Sequence, residues 1–440
     1  MENEKYLLRQ QTLRRYILAM ARRGAVGIIT DPGCRKRYLV MVAIITLAVL
    51  VLMRPAPDNP LWHLIPKLLN AALTAIWLIL CLFTVPACGY IPGSWAIYDD
   101  LTRAGIVNYA GEAPLLIARQ NGDHGIVKLV FQIKGYPLDL WQEDQVLIES
   151  ALNLSILEIH LGFDNQTIEI EAVKASGAFD HLVPWLDALR PNDSAELALG
   201  VNAAGIPLII NLSKIPHWLI GAATGGGKTK LLKLLLHQMQ MAGYILYLAD
   251  YKGVDFNADD FAEGHYAADL QTLAEMLDEV VAILYTRRDA LIKAKCPNID
   301  GYNESHSPLK RIVVILDETS MILDTTGRAK EEKAEIAEIL NQLLTIGRLG
   351  RAMGIHLIVA TQRPDVASVP GALKAQLDGR ICGHCADAQS SIVILDDGSG
   401  AKLPAIPGRF IVRDGSGDKI IQAYFFDDKK GKDNDDELSF

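Results

Sequence analysis

Two uncharged apolar runs open the chain, and short hydrophobic segments set off by Gly, Pro and Asp fill the rest. The first run, Tyr38–Met53, is bounded by Arg37 and Arg54. As a helix it covers about 24 Å, slightly less than a ~30 Å hydrocarbon core, and snorkelling arginines close the gap. The second is most apolar over Leu68–Val85, follows Lys67, and ends in Pro86 and a Gly/Pro-rich exit from Gly89 to Gly93. The first run lies too far from the start for a secretory signal, lacks a small-residue cleavage site, and is soon followed by the second. The pattern predicts a two-helix transmembrane hairpin over 38–93, with spans at about 38–53 and 68–85. The positive-inside rule puts residues 1–37 in the cytoplasm and the linker Arg54–Lys67 outside. Everything after about Gly93 is then cytoplasmic, on a multi-pass protein of the cell membrane.

Residues 100–180 read as a small α+β domain. Val127–Lys134, Ile156–His160 and Thr167–Val173 have strand character, and Leu138–Leu152 has helical spacing. No catalytic set is evident there, which suits a spacer or assembly role. From about 190 to 426 the pattern changes. An apolar strand runs into a Gly-rich turn and the helical stretch Lys230–Met241, then further strands follow at Ile245–Leu248, Ile312–Leu316 and Ile355–Thr361. Helices are expected at Leu270–Leu284, with Asp269 as N-cap, and at Glu331–Leu349. Strands alternating with helices predict an α/β fold with a doubly wound parallel sheet.

Charge is uneven along the chain. Residues 1–37 carry nine Lys/Arg against Glu2, Glu4 and Asp31, whereas the whole chain has a formal net charge of −9. The acidic remainder excludes a surface-wide basic coat for nucleic acid but leaves room for a local basic channel. Residues 427–440 form an acidic tail whose composition predicts disorder. Six scattered cysteines give no disulfide framework and fit a reducing compartment. Cys382-Gly-His-Cys385 has CxxC spacing, with no second Cys/His pair nearby to complete a zinc site.

The strongest chemical signal is Gly221-Ala222-Ala223-Thr224-Gly225-Gly226-Gly227-Lys228-Thr229. Backbone N–H groups of such a turn wrap a phosphate, and the following helix N-terminus favours the negative charge. Lys228 is placed to reach the β/γ-phosphates and the Thr229 hydroxyl to ligate Mg²⁺, so ATP and Mg²⁺ are the expected cofactors. In the strict motif register the first position is Ala222 rather than glycine. The apolar strand that ends in Asp317-Glu318 brings two carboxylates to the ligand edge of a parallel sheet. Asp317 is the candidate metal ligand and Glu318 the candidate base for the attacking water. Asp250 and Lys252 end another strand at that edge, with an ordinary surface ion pair as the alternative. Gln362 ends a fourth strand and is placed to sense the γ-phosphate.

These residues resemble the FtsK/SpoIIIE family of DNA translocases. The resemblance rests on Leu197-Ala-Leu-Gly200, Gly205-Ile-Pro207 and Leu212-Ser-Lys214-Ile-Pro216-His217 before the P-loop. It continues through Gly354-Ile-His-Leu-Ile-Val-Ala-Thr-Gln362-Arg363-Pro364, Lys374–Arg380 and Ser391–Asp396. It implies a RecA-like motor, a homo-hexameric ring that hydrolyses ATP and pulls DNA, and an arginine supplied from the neighbouring subunit. Arg351, just before Gly354-Ile-His, is preferred to Arg348 for that role. Two predicted spans, almost no linker and no reading module resemble the FtsK-type coupling proteins of conjugative plasmids and integrative conjugative elements. That version implies relaxase and transfer-channel proteins as partners. A cell-division or sporulation DNA pump, a protein-secretion ATPase and a non-motor docking protein are the alternatives. Single- versus double-stranded DNA stays open, and Arg287, Arg288, Lys293 and Lys295 are candidate basic contacts with solvated helix charges as their alternative.

Overall fold

The computed structural model describes residues 2–53, 55, 64–175, 182–365, 367–415 and 417–427, with side chains from 13 onward. The chain divides into two compact units, Met1–Ala175 and Ser176–Phe440. The expected external linker falls mostly outside the described residues, as does the acidic tail beyond 427.

The first unit begins with three long helices, α1 (Glu2–Thr30), α2 (Pro32–Leu52) and α3 (Leu64–Cys88). The N-terminal basic segment, for which the sequence suggested no element, is therefore mostly helix. Asp31 starts α2: its carboxylate accepts the N–H groups of Gly33 and Cys34 at 2.9 and 3.1 Å, and Pro32 follows it at a position where a missing N–H costs nothing. Arg35, Lys36 and Arg37 thus lie inside α2 rather than before it. Among the described residues α3 is the one helix long and apolar enough to cross a membrane, with a mean hydropathy of 2.3. It starts at Leu64, four residues earlier than expected, and carries Pro86 inside its last turn. Helices α1 and α3 touch backbone to backbone: a Cβ on Gly24 would lie 1.8 Å from the Val85 carbonyl oxygen. On α2, Thr46 accepts the Trp77 indole N–H at 2.9 Å.

After α4 (Ser94–Arg103) comes a four-stranded antiparallel sheet with strands β1 (Leu115–Asn121), β2 (Val127–Gln132), β3 (Leu154–Leu161) and β4 (Thr167–Lys174), in the order β1-β2-β4-β3. Strand β1 escaped sequence reading because Arg119, Gln120 and Asn121 break its apolar pattern. Helices α5 (Leu138–Glu143) and α6 (Gln145–Leu152) replace the single expected helix, broken at Asp144. Their Trp141 and Ile148 are fully buried with Phe131, Leu129 and Ile170.

The second unit runs β5 (Val183–Pro184), β6 (Glu196–Val201), β7 (Pro207–Asn211), β8 (His217–Gly221), α7 (Lys228–Met241), β9 (Ile245–Asp250), β10 (Tyr266–Ala267), α8 (Leu270–Ala294) and α9 (Ile299–Asn303). It continues with β11 (Ile312–Asp317), α10 (Thr319–Leu323), α11 (Lys330–Met353), β12 (Ile355–Thr361), α12 (Gly371–Lys374), β13 (Gly379–Gly383), α13 (Ala388–Leu395), α14 (Ser399–Lys402), β14 (Arg409–Arg413) and β15 (Asp418–Phe425). The sheet order is β10-β9-β11-β12-β8-β13-β14-β15-β6-β7, with β5 added beside β15. Strands from β10 to β13 are parallel; β13 through β7 pair antiparallel. The doubly wound parallel sheet is there, and half of it is an antiparallel extension that the alternating βα pattern did not foretell.

Why the parallel strands read as unbroken apolar runs follows from side-chain alternation. In β11, Ile312, Val314 and Leu316 pack toward α8 and α11, whereas Val313 and Ile315 pack toward α7. Both faces are covered, so no position on the strand can be polar until Asp317. The expected cap of α8 is present: Asp269 accepts the Thr272 N–H at 2.8 Å while Thr272 accepts the Asp269 N–H at 3.3 Å.

Candidate nucleotide site

Parallel strands end together, so their register gathers the site. Asp317 lies beside Asp250, Thr361 beside Gly221, and Cys382 beside Gly221 on the other side. Strand β12 lies between the P-loop strand β8 and the acidic strand β11. The residues that follow it therefore reach both.

The Gly-rich turn adopts conformations that need glycine. Gly225 and Gly227 have φ of +82° and +101°, a region that a Cβ penalises, and Gly227 begins α7. Gly227 also has no room, because a Cβ would meet the Gly408 nitrogen at 2.8 Å. Gly408 in turn donates to the Gly226 carbonyl at 2.9 Å, so the loop before β14 braces the turn from the antiparallel side. Ala222 is fully buried, and its methyl fills the space where the motif more often has glycine. Ala223, Thr224, Gly225 and Gly226 face outward to differing degrees, and Thr229 is half-buried.

Lys228, only 3% exposed, donates to Asp317 Oδ1 and has its Nζ 3.9 Å from Glu318 Oε2. The second Asp317 oxygen, Oδ2, is buried with no hydrogen-bond partner. Such an orphan costs free energy unless something meets it, and Asp317 with the Thr229 hydroxyl is an oxygen donor pair of the kind that suits Mg²⁺. The residues present thus fit the implied cation. Burial holds the Asp317 carboxyl above its ordinary range, against the pull of Lys228.

Glu318 is oriented from several sides. Ser320 Oγ donates to Oε1 at 2.6 Å, Thr361 Oγ1 donates to Oε1 at 3.0 Å, and the Gln362 N–H bonds to both oxygens at 3.2 and 3.0 Å. Burial alone would push this carboxyl up; these bonds and Lys228 outweigh it, and the group lies below its ordinary range. A carboxylate held ionised beside a phosphate site is equipped to accept a proton from water. Its backbone is left-handed (φ 65°, ψ 66°), a conformation uncommon for a residue with a side chain and concentrated at functional sites. The Gln362 side chain accepts from Thr224 Oγ1 at 3.2 Å, linking the turn to the end of β12.

Lys252 is not part of a surface ion pair with Asp250. Asp250 is fully buried and its Oδ1 accepts the N–H groups of Lys252 and Gly253 at 3.0 and 3.2 Å. The Lys252 Nζ lies 3.5 Å from Glu318 Oε2, so the residue belongs to the site. The sequence placed it at the right edge but gave no sign of its partner. Ser320 and Thr361 carried no signal at all, being ordinary hydroxyl residues whose role comes only from strand register.

Arg351 lies elsewhere. It is exposed near the end of α11, before β12 begins, and its Nε donates to the Ser213 carbonyl at 3.3 Å. Since β12 spans about 20 Å, Arg351 sits at the opposite edge of the sheet from its own Glu318. Arg348 is also exposed on the same helix. Of the candidate basic contacts, Arg287 is neither free nor solvated. It is 6% exposed and donates to the carbonyls of Met353 and Lys310 at 2.8 and 2.6 Å.

Residues 188–345 match the FtsK/SpoIIIE family. The chain is 30% identical over 238 residues to the DNA translocase FtsK of Listeria monocytogenes, covering 49% of this chain and 30% of that protein. It is 28% identical over 291 residues to the DNA translocase FtsK of Haemophilus influenzae, covering 56% of this chain and 53% of the other. The chain thus spans about a third to a half of the length of these relatives. Among solved structures it is similar to the conjugation coupling protein TcpA of pCW3, in a monomer form with ATPγS, at 27% identity and a TM-score of 0.57. That match covers 77% of this chain and 96% of the other.

Proposed function

We propose that this chain, whose residues 188–345 match the FtsK/SpoIIIE family, is a membrane-anchored, ATP-driven DNA translocase that serves as a conjugative coupling protein. The observation that carries the reading is the buried cluster Lys228–Asp317–Glu318 at the mouth of the Gly-rich turn. The similarity to TcpA over nearly the whole of its solved chain supports the conjugative version, and the FtsK relatives support DNA as the track. Relaxase and transfer-channel proteins are the partners this role calls for.

In this reading the turn from Gly221 to Gly227 presents backbone N–H groups to the ATP phosphates. Lys228 would turn from Asp317 to the β/γ-phosphates, and Asp317 and Thr229 are the residues that would hold Mg²⁺. Mg²⁺, when bound, neutralises charge on the phosphate oxygens. Glu318 takes the proton of the attacking water, held in place by Ser320, Thr361 and the Gln362 N–H. Gln362, bonded to Thr224, passes the state of the turn to the segment after β12. Arg351 completes the site of a neighbouring subunit in a homo-hexamer, a role that its exposure and its distance from its own Glu318 support. The membrane anchor is α3 with the shorter apolar part of α2 as its hairpin partner.

The test is the ATPase rate of the purified chain with and without single- or double-stranded DNA, beside Lys228→Ala. Stimulation by one DNA form that vanishes in the variant is the expected result and identifies the track. Lys228-dependent hydrolysis indifferent to both forms would overturn translocation and favour protein export or docking.

A further inference from the structure

The CxxC pair, which the nucleotide chemistry leaves unused, lies against the P-loop. Cys382 is near the end of β13, in register with Gly221, and Cys385 follows in the turn toward α13. Both thiols are free, and their sulfurs are 3.5 Å apart. They share one acceptor, the Gly383 carbonyl oxygen, at 3.3 and 3.6 Å. Gly400 leaves room for them: a Cβ there would come within 2.7 Å of Cys382 Sγ and 3.4 Å of Cys385 Sγ. Among the described residues no group of three His, Cys, Asp or Glu suited to a metal occurs. Two adjacent sulfurs without further ligands favour thiol–disulfide chemistry over metal binding.

The two residues between the cysteines are those that touch the turn. The His384 carbonyl accepts the Ala223 N–H at 3.0 Å. A Cβ at Gly383 would lie 2.7 Å from the Ala222 methyl, so the backbones are in close contact. Cys385 also borders a cavity of about 320 Å³ with Ala223, Gln362 and Arg363. Of the two cysteines it is Cys385 that borders this cavity, which makes it the nucleophile, and its contact with Cys382 lowers its thiol below the ordinary range, against burial.

We propose that Cys382 and Cys385 form a reversible disulfide, driven by hydrogen peroxide, that weakens nucleotide binding at the adjacent P-loop. The Cys385 thiolate attacks one peroxide oxygen. An S–O bond forms, the O–O bond breaks, and the departing hydroxide takes a proton, giving a sulfenic acid and water. The Cys382 sulfur then attacks the Cys385 sulfur. The S–S bond forms as the S–O bond breaks, and the Cys382 proton leaves with the hydroxide as a second water. The two sulfurs together lose two electrons and the peroxide gains them; a dithiol reductant returns them. Bond formation draws the sulfurs from 3.5 Å to about 2.05 Å. The displacement falls on the small ring that contains Gly383 and His384, and through them on Ala222 and Ala223.

The proposal rests on the reading of the P-loop as the ATP site, and the experiment separates the two. The full chain is purified in detergent with Cys34, Cys81, Cys88 and Cys296 changed to Ser, so that the pair alone reports. Its affinity for a fluorescent ATP analogue is measured reduced, after hydrogen peroxide, and after dithiothreitol, with peptide mass mapping of the cross-link. We expect loss of two hydrogens at 382–385, a Kd weaker by about tenfold or more, and full recovery on reduction. Further change of Cys382 and Cys385 to Ser is expected to leave binding as in the reduced form and indifferent to peroxide. A mapped disulfide with unchanged Kd, or oxidation without that cross-link, overturns the proposal while leaving the ATP reading intact. If the reduced chain shows no binding that Lys228→Ala removes, both fall together.

Discussion

Glu318 holds a left-handed backbone whose cost for a residue with a side chain is of order 1–3 kcal/mol, offset by hydrogen bonds from Ser320, Thr361 and Gln362. Strain of this sort aims a carboxylate rather than stabilising the fold. Glu318→Gln is therefore expected to cut hydrolysis by about 100-fold or more while nucleotide affinity changes little. Lys228→Ala is expected to lose both, as equilibrium binding and single-turnover hydrolysis on the two variants will show. Retained turnover in Glu318→Gln would remove it as the base. Histidine at the other sheet edge sets an acid limit. Burial pushes His217 down to about 4, with Nδ1 accepting the Leu357 N–H, and fully buried His356 is pushed well down in the same direction. Between about pH 6.5 and 4 the unfolded chain protonates His217 while the native one does not, so stability falls as pH falls, by about 1.4 kcal/mol per unit per histidine. Above about pH 6.5 the loss is absent. Urea midpoints at pH 7.5 and 5.0 are expected to show the drop, and His217→Gln to lessen it, His356 supplying the rest.

At the scale of elements, close approach of strands and helices decides which glycines matter. Gly379 in β13 lies under the Trp218 ring of β8, and a Cβ there would sit 2.3–2.5 Å from the ring carbons. Trp218 is itself buried and its indole N–H bonds the Ile215 carbonyl at 2.9 Å, so it cannot step aside cheaply. Gly379→Ala is expected to destabilise by about 1–3 kcal/mol through overpacking, seen as a lower melting temperature; an unchanged melt would mean that the β8–β13 pair can spread. Gly379 falls inside Lys374–Arg380, a stretch that resembles the FtsK/SpoIIIE family, and the ring above it supplies a packing reason. The CxxC pair shows the same dependence: spacing made it visible, but only the β8–β13 pairing puts it beside the P-loop.

For the whole molecule, two expectations concern membrane and copies. α3 is the described helix able to span a bilayer, and removing residues 1–93 is expected to release the chain from alkali-washed membranes; a chain that stays in the pellet would argue for another attachment. Arg351 lies about one strand length from its own Glu318, so its expected contribution needs a second copy. Subunits with Arg351→Ala and subunits with Glu318→Gln, each inactive alone, are expected to recover part of the ATPase rate when mixed. Mixtures no more active than their components would place the arginine outside the hydrolytic machinery.

The sequence by itself determined the parts whose chemistry is local. A Gly-rich turn needs glycine at the left-handed positions Gly225 and Gly227, and a buried parallel strand must be apolar until its end, so the P-loop and Asp317-Glu318 stood out as residue patterns. So did the parallel half of the sheet, because strands covered on both faces alternate with the helices that cover them. Only the tertiary structure decided what depends on register and strand order. It placed β12 between β8 and β11, which brings Thr361 and Gln362 onto Glu318. It brought Lys252 to the site and buried Arg287 as a backbone donor. It also added the antiparallel half from β14 to β7, whose loop at Gly408 braces the turn. These partners lie tens of residues or more apart along the chain, and no periodicity records which strand will lie beside which.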